Sequence, residues 1–244
     1  MSETTGENNT SELIDQALDL VQEAYASDLF GDMATVIAGL TRALSDARSL
    51  DPKTRLLNYP TFQEIAERKI ADPPATNRRQ SSRGTTDRRS YGKYSLLVAD
   101  LDDFKHVNTV LGYHGADATC LLPTAQILTS NVLRRDGDIS RFGGEEFAVL
   151  LEGTDSEGAI RVADRIRAQV NQIALPAETG NTFLGITIAS ISFDPGSSYG
   201  LAFDVANEML TFAKSNGGKN QVVAGNLLSP ELMFGRTSSL ELFK

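Results

Sequence analysis

The sequence predicts an α+β domain built on a sheet with antiparallel neighbours, and three observations predict it. The stretch YSLLVAD (94–100) is an almost unbroken apolar run of strand length, bounded by polar chain on both sides. The stretch ISRFGGEEFAVLL (139–151) sets two short apolar-alternating runs around Gly143-Gly144 and reads as a hairpin. Amphipathic segments separate these strands from two more, FLGITIASISF and NQVVA. The resulting order is β-α-β-β-α-β with elements appended, which predicts helices lying on one face of the sheet.

Each element has its own warrant. Residues 1–10 are polar and carry no periodicity. From Ser11 onward, Ile14, Leu18, Val21 and Tyr25, then Met33, Val36, Leu40 and Leu44, recur at helical spacing on either side of the break SDLFGD. Two such stripes need a partner: each other, the following domain, or a second copy of the chain. A new unit opens at DPKTRLLNYPTF (51–62), and its helix fades near Ala71. Residues 71–93 are rich in Pro, Ser, Thr, Gly and Arg, with an excess of positive charge, and read as a basic flexible insertion. A helix is expected from about Ala116 to Arg134, restarted or kinked at Pro123. The segment from Thr154 to Ile173 is a second helix, with Thr154 and Glu157 at capping-box spacing, and AFDVANEMLTFAK (202–214) is a third. The expected boundaries are 1–50 for a helical dimerisation or regulatory segment, 51–226 for the domain and 227–244 for a tail.

Composition narrows the function classes. The chain has 244 residues, 41% of them hydrophobic, enough for a substantial core. Its longest apolar runs fall short of a membrane span, and MSETTGENNTSEL lacks the make-up of a signal peptide. Cys120 is the single cysteine, so no internal disulfide framework exists; a cytoplasmic setting is the economical expectation. A net charge of −9 argues against broad binding to nucleic acid or anionic lipid.

The acidic residues are not evenly spread. YSLLVAD runs into Asp100-Leu101-Asp102-Asp103, and the hairpin turn carries Glu145 and Glu146. In a split β-α-β sheet the first strand and the hairpin are neighbours, so Asp100 would lie near the two glutamates. Carboxylates brought together repel unless a cation sits between them, and a hard divalent ion with oxygen ligands is the chemical match. Glycines at the turn and backbone N–H groups at DDFK would let phosphate approach. The modest alternative is a charged hairpin facing water, with Asp102 and Asp103 as solvated loop charges.

Taken with their order along the chain, these motifs resemble the GGDEF-domain diguanylate cyclases. The matches are DPKTRLLNYPTF, DLDDFKHVN, Gly112 and Asp117, RFGGEEF with the variant signature Gly143-Gly144-Glu145-Glu146-Phe147, and ANEMLTFAK with GGKN, over residues 51–224. The resemblance implies a nucleotidyl-cyclase or polymerase-palm-like fold on a ferredoxin-like βαββαβ core. It implies an enzyme that condenses two GTP molecules into cyclic di-GMP and two pyrophosphates, dependent on Mg²⁺ or Mn²⁺ and active as a homodimer. The alternative within the family is a catalytically silent module that binds GTP or cyclic di-GMP; outside it, a partner-docking protein using the Arg-rich insertion.

By the same resemblance, Asp100, the Leu101 carbonyl, Glu145 and Glu146 are the metal ligands, and Glu145 and Lys105 the catalytic pair. Asn108 and Asp117 face the guanine edge. Phe104, Lys105, Lys214, Gly143 and Gly144 contact the phosphates or the nucleotide. Arg135 and Asp138 have the spacing of a product-inhibition site, though one residue out of register. Other departures are Thr109 for an Asp, Tyr113 for a His, and one extra residue between Ala213-Lys214 and Gly218-Lys219-Asn220.

Overall fold

The computed structural model describes residues 38–41, 44–45, 48–71, 93–132, 139–227 and 240–243. The expected helices before residue 38, the insertion at 72–92, Arg135, Asp138 and most of the tail lie outside the described residues. The chain divides into two compact units, Met1–Arg55 and Leu56–Lys244. In the first, Asp51 organises a turn: its carboxylate accepts from the backbone N–H and the hydroxyl of Thr54, each at 2.7 Å.

The second unit holds a seven-stranded sheet. Its elements are β1 (Leu57–Asn58), α1 (Tyr59–Ala71), β2 (Tyr94–Asp102), α2 (Phe104–Ala116), α3 (Leu122–Asn131), β3 (Ile139–Arg141), β4 (Glu146–Glu152), α4 (Ser156–Val170), β5 (Gly185–Phe193), α5 (Tyr199–Phe212), β6 (Val222–Leu227) and β7 (Leu240–Phe243). The spatial order is β1-β3-β4-β2-β5-β6-β7, with β2 antiparallel to both β4 and β5. The central four strands reproduce the predicted β-α-β-β-α-β connectivity. β1, only two residues long, carries no strand pattern of its own, and β7 extends the sheet from the segment expected to be a tail.

The expectation of helices on one face is corrected. Leu97, Ala99 and Leu101 of β2 join one core with α2, α3 and α4, whereas Tyr94, Leu96 and Val98 join another with α1 and α5. Successive strand residues point to opposite faces, so a strand covered on both sides needs apolar residues at both parities. YSLLVAD has them, and that lack of alternation was the unread signal.

The helix after β2 also differs from expectation. It starts at Phe104 rather than near Ala116, breaks at Gly112 (φ 70°, ψ 165°), widens into a π turn at Asp117–Leu121, and restarts with Pro123 in the first turn of α3. Proline lacks the N–H that a first turn leaves unbonded anyway, so the restart it was expected to make costs little there. At α4 the cap is Asp155, whose carboxylate accepts from Gly158 N at 2.9 Å, and not the expected Thr154.

Candidate functional site

The two acidic segments meet. Asp100 and Glu146 are directly opposed in the β2–β4 ladder, and Leu101 N donates to the Glu145 carbonyl at 3.2 Å, extending the ladder into the turn. Across β2's other edge, Asp100 opposes Thr187 and Asp102 opposes Gly185. Asp100 and Asp102 share the sheet face that α5 covers, and the segment following α5 brings Lys214 to them: its Nζ lies 2.5 Å from Asp100 Oδ1 and 3.5 Å from Asp102 Oδ1.

Electrostatics mark the cluster. Burial raises the Asp100 pKa above the ordinary carboxylate range, opposed by Lys214 and reinforced by Asp102. Burial and then the Asp100 charge raise Glu145. Glu146 is raised by burial, then by Asp100 and Glu145. Asp100 Oδ1 is buried, and the group that meets it is the Lys214 ammonium at 2.5 Å.

The turn owes its shape to sterics more than to glycine's backbone freedom, which corrects the sequence reading. Neither Gly143 nor Gly144 has a positive φ. A Cβ at 143 would run into the Glu146 carboxylate, while one at 144 would meet nothing within 4 Å. Arg141, which the sequence reading passed over, fixes the bend: its Nε and Nη2 donate to the Gly144 carbonyl at 3.2 and 2.6 Å.

Asp102 is likewise corrected. It is only 5% exposed, accepts from Thr187 Oγ1 at 2.9 Å and from Asn220 N at 2.7 Å, and fits because residue 185 is glycine; a Cβ there would sit 2.7 Å from Asp102 Oδ2. Asp103 is half-exposed, left-handed in backbone (φ 57°), and paired with Lys219 at 2.5 Å. The extra residue between Lys214 and Lys219 is absorbed by a π turn at Ala213–Gly217, which lets both lysines reach the aspartates at the end of β2.

Beside the cluster a cleft of about 380 Å³ is lined by Lys105, Asn108, Thr109, Tyr113 and Glu145. Asn108 Oδ1 is buried there without a hydrogen-bond partner. Asp117 begins the π turn beyond α2 and is not among the lining residues. Phe104 packs its ring into the core, leaving only its backbone for any ligand. His106 is held to the Thr179 carbonyl at 3.1 Å. Among the described residues no three His, Cys, Asp or Glu side chains form a ready-made metal cage. The donor set still fits a hard cation: three carboxylates whose pKa values are raised by burial first and by neighbouring carboxylates second, with the Lys214 ammonium already held among them.

Residues 48–220 match the family described as "Diguanylate cyclase, GGDEF domain". This chain belongs to the GGDEF family. Among curated relatives, "Diguanylate cyclase DosC" of Escherichia coli (strain K12) is 30% identical over 174 residues, 71% of this chain and 34% of that protein. The chain thus spans about a third of the length of that relative. Among solved structures, diguanylate cyclase SiaD of Pseudomonas aeruginosa, in complex with its activator SiaC, is 25% identical with a TM-score of 0.58, covering 89% of this chain and 76% of that one. The coiled coil and GGDEF domain of DgcB from Caulobacter crescentus, in complex with c-di-GMP, is 22% identical with a TM-score of 0.61, covering 79% and 95%, and bears on the fold alone. No helix of the GGDEF chain among the described residues is long and apolar enough to cross a membrane.

Proposed function

We propose that this GGDEF chain is a diguanylate cyclase, making cyclic di-GMP from two GTP. The observation that carries the reading is the register of Asp100 against Glu146, with Leu101 bonded to Glu145, which gathers the acidic segments of two strands beside a nucleotide-sized cleft. In each of two rounds, the 3′-oxygen of one GTP forms a bond to the α-phosphorus of the other, the α–β phosphoanhydride bond breaks, and pyrophosphate leaves.

Asp100, the Leu101 carbonyl and Glu145 would hold a divalent cation, Mg²⁺ or Mn²⁺, with Glu146 contributing. When bound, that ion neutralises phosphate charge and lowers the pKa of a coordinated hydroxyl. The chain's own groups do the rest. Lys105 and Lys214 offset the charge that builds on the departing pyrophosphate. Gly144, with open space where a Cβ would stand, lets phosphate approach the backbone. Asn108 presents an unsatisfied amide oxygen to the cleft, and Asp117 would add a second polar group for the guanine edge. By the family resemblance, Glu145 would take the 3′-hydroxyl proton.

A cleft of this volume holds one nucleotide, so the second is brought by a second copy, and pairing two half-sites supplies the proximity that in-line attack needs. The chain thus works as a homodimer, with residues 1–50 as the segment that sets pairing and 51–226 as the catalytic domain. The test is incubation with GTP and Mg²⁺, products resolved by chromatography, beside Asp100→Ala. Cyclic di-GMP and pyrophosphate from the wild type, reduced at least about 100-fold in the variant, are expected. GTP bound but unconverted by the wild type would replace this reading with that of a silent nucleotide-binding module.

A further inference from the structure

The cleft carries one aromatic side chain that the metal-and-phosphate chemistry does not use. Tyr113 is 74% exposed, the most exposed large hydrophobic side chain among the described residues, and it lines the cleft with Lys105, Asn108, Thr109 and Glu145. An aromatic ring left in water beside a buried, unsatisfied amide is poorly explained by packing; a flat ligand with a polar edge would satisfy both. Thr109 adds to the same wall without adding a donor, because its hydroxyl already donates to the Lys105 carbonyl at 2.9 Å. These are also the two cleft positions at which the sequence departs from the family pattern, Thr standing for Asp and Tyr for His. The first change removes a charge from the cleft, and the second puts a larger, uncharged aromatic face there.

The geometry points to Tyr113 as the stacking platform for the purine ring of the bound nucleotide, a specificity and affinity residue in addition to the polar groups at the base edge. This rests on the reading of the cleft as a GTP site. Phosphate contacts near Lys105 and Glu145 hold one end of the ligand, Asn108 meets the edge of the base, and the phenol ring covers its face. Base–aromatic stacking of this kind contributes enough that loss of the ring weakens nucleotide binding about 5- to 100-fold. Because the side chain is largely exposed, its removal leaves the fold intact.

The test uses the whole chain and two probes: a non-hydrolysable GTP analogue, and inorganic tripolyphosphate, which has the charge but no base. Titration calorimetry is expected to show Tyr113→Ala weakening the analogue about 5- to 100-fold while tripolyphosphate binding stays the same. Tyr113→Phe is expected to bind the analogue within about twofold of wild type, since the π face is retained. The chain has 6 tyrosines and no tryptophan, so tyrosine fluorescence is readable; quenching by the analogue is expected in the wild type and reduced in Tyr113→Ala. Equal analogue affinity for wild type and Tyr113→Ala overturns the stacking role, as does a parallel loss of tripolyphosphate binding. If the wild type binds neither probe, it is the GTP-site reading that falls.

Discussion

Asp100 and Asp102 lie two residues apart on one strand, on one face, and both approach Lys214, yet they are in opposite conditions. Asp102 is 5% exposed with its oxygens bonded by a threonine hydroxyl and a backbone N–H, in space that a glycine on the next strand leaves open. Asp100 has only the Lys214 ammonium at its buried oxygen, with no hydroxyl or backbone N–H beside it, and two glutamates close enough to shift with it. A buried carboxylate with its bonds complete belongs to the fold; one with its bonds incomplete is held ready for something else. The first carboxylate ties β5 and the Gly218–Gln221 loop to β2. The second is the one the proposed chemistry needs.

The largest expected effect comes from breaking the satisfied member. Asp102→Ala strands the Thr187 hydroxyl and the Asn220 N–H, and leaves Lys214 with a single carboxylate. Removing one partner from a buried charged network costs about 3–5 kcal/mol, so denaturant unfolding should register a loss of that order. A loss below about 1 kcal/mol would mean that Asp102 is as dispensable as a surface charge.

Much of this contrast was legible in the sequence, and the part that was not has a physical reason. The strand YSLLVAD, the hairpin and the helices at 154–173 and 202–214 follow from apolar spacing, and their order already places Asp100 beside the turn. The sequence could not distinguish Asp102 from Asp103. What separates them is Gly185 and Thr187, more than 80 residues away, and a loop whose N–H arrives only because a π turn takes up one residue. Helices on both faces are legible in the missing alternation of β2. Gly143 keeps a negative φ, and a Cβ there would have to displace the Glu146 carboxylate from its present place.

Intermediate effects sharpen the other member. Asp100, Glu145 and Glu146 all have raised folded-state pKa values, so the stability they allow is complete below their ordinary values and is lost as pH rises through the folded values. Asp100→Asn removes one of these charges and the leading charge acting on the other two. Melting metal-free protein from about pH 4 to 7 should show the variant gaining on wild type as pH rises. Millimolar Mg²⁺ should then raise the wild-type melting temperature and leave the variant unmoved, by preferential binding to the folded state. Identical pH dependence in the two proteins would show that the cluster stores no repulsion.

The smallest effect belongs to the third aspartate of the run. Asp103 pairs with Lys219 at 2.5 Å, as close as Asp100 is to Lys214, but here both side chains are about half in water. Distance alone would rank the two ion pairs equally; burial ranks them apart, because solvent screens an exposed pair and ordering the long lysine side chain offsets most of the attraction. Lys219→Ala is therefore expected to change stability by less than about 1 kcal/mol, and the difference should shrink further in 1 M NaCl, where screening acts within about 3 Å. Should this substitution cost as much as Asp102→Ala, contact length rather than completeness of bonding would govern the acidic run, and the distinction drawn between its structural and its reactive members would have no basis.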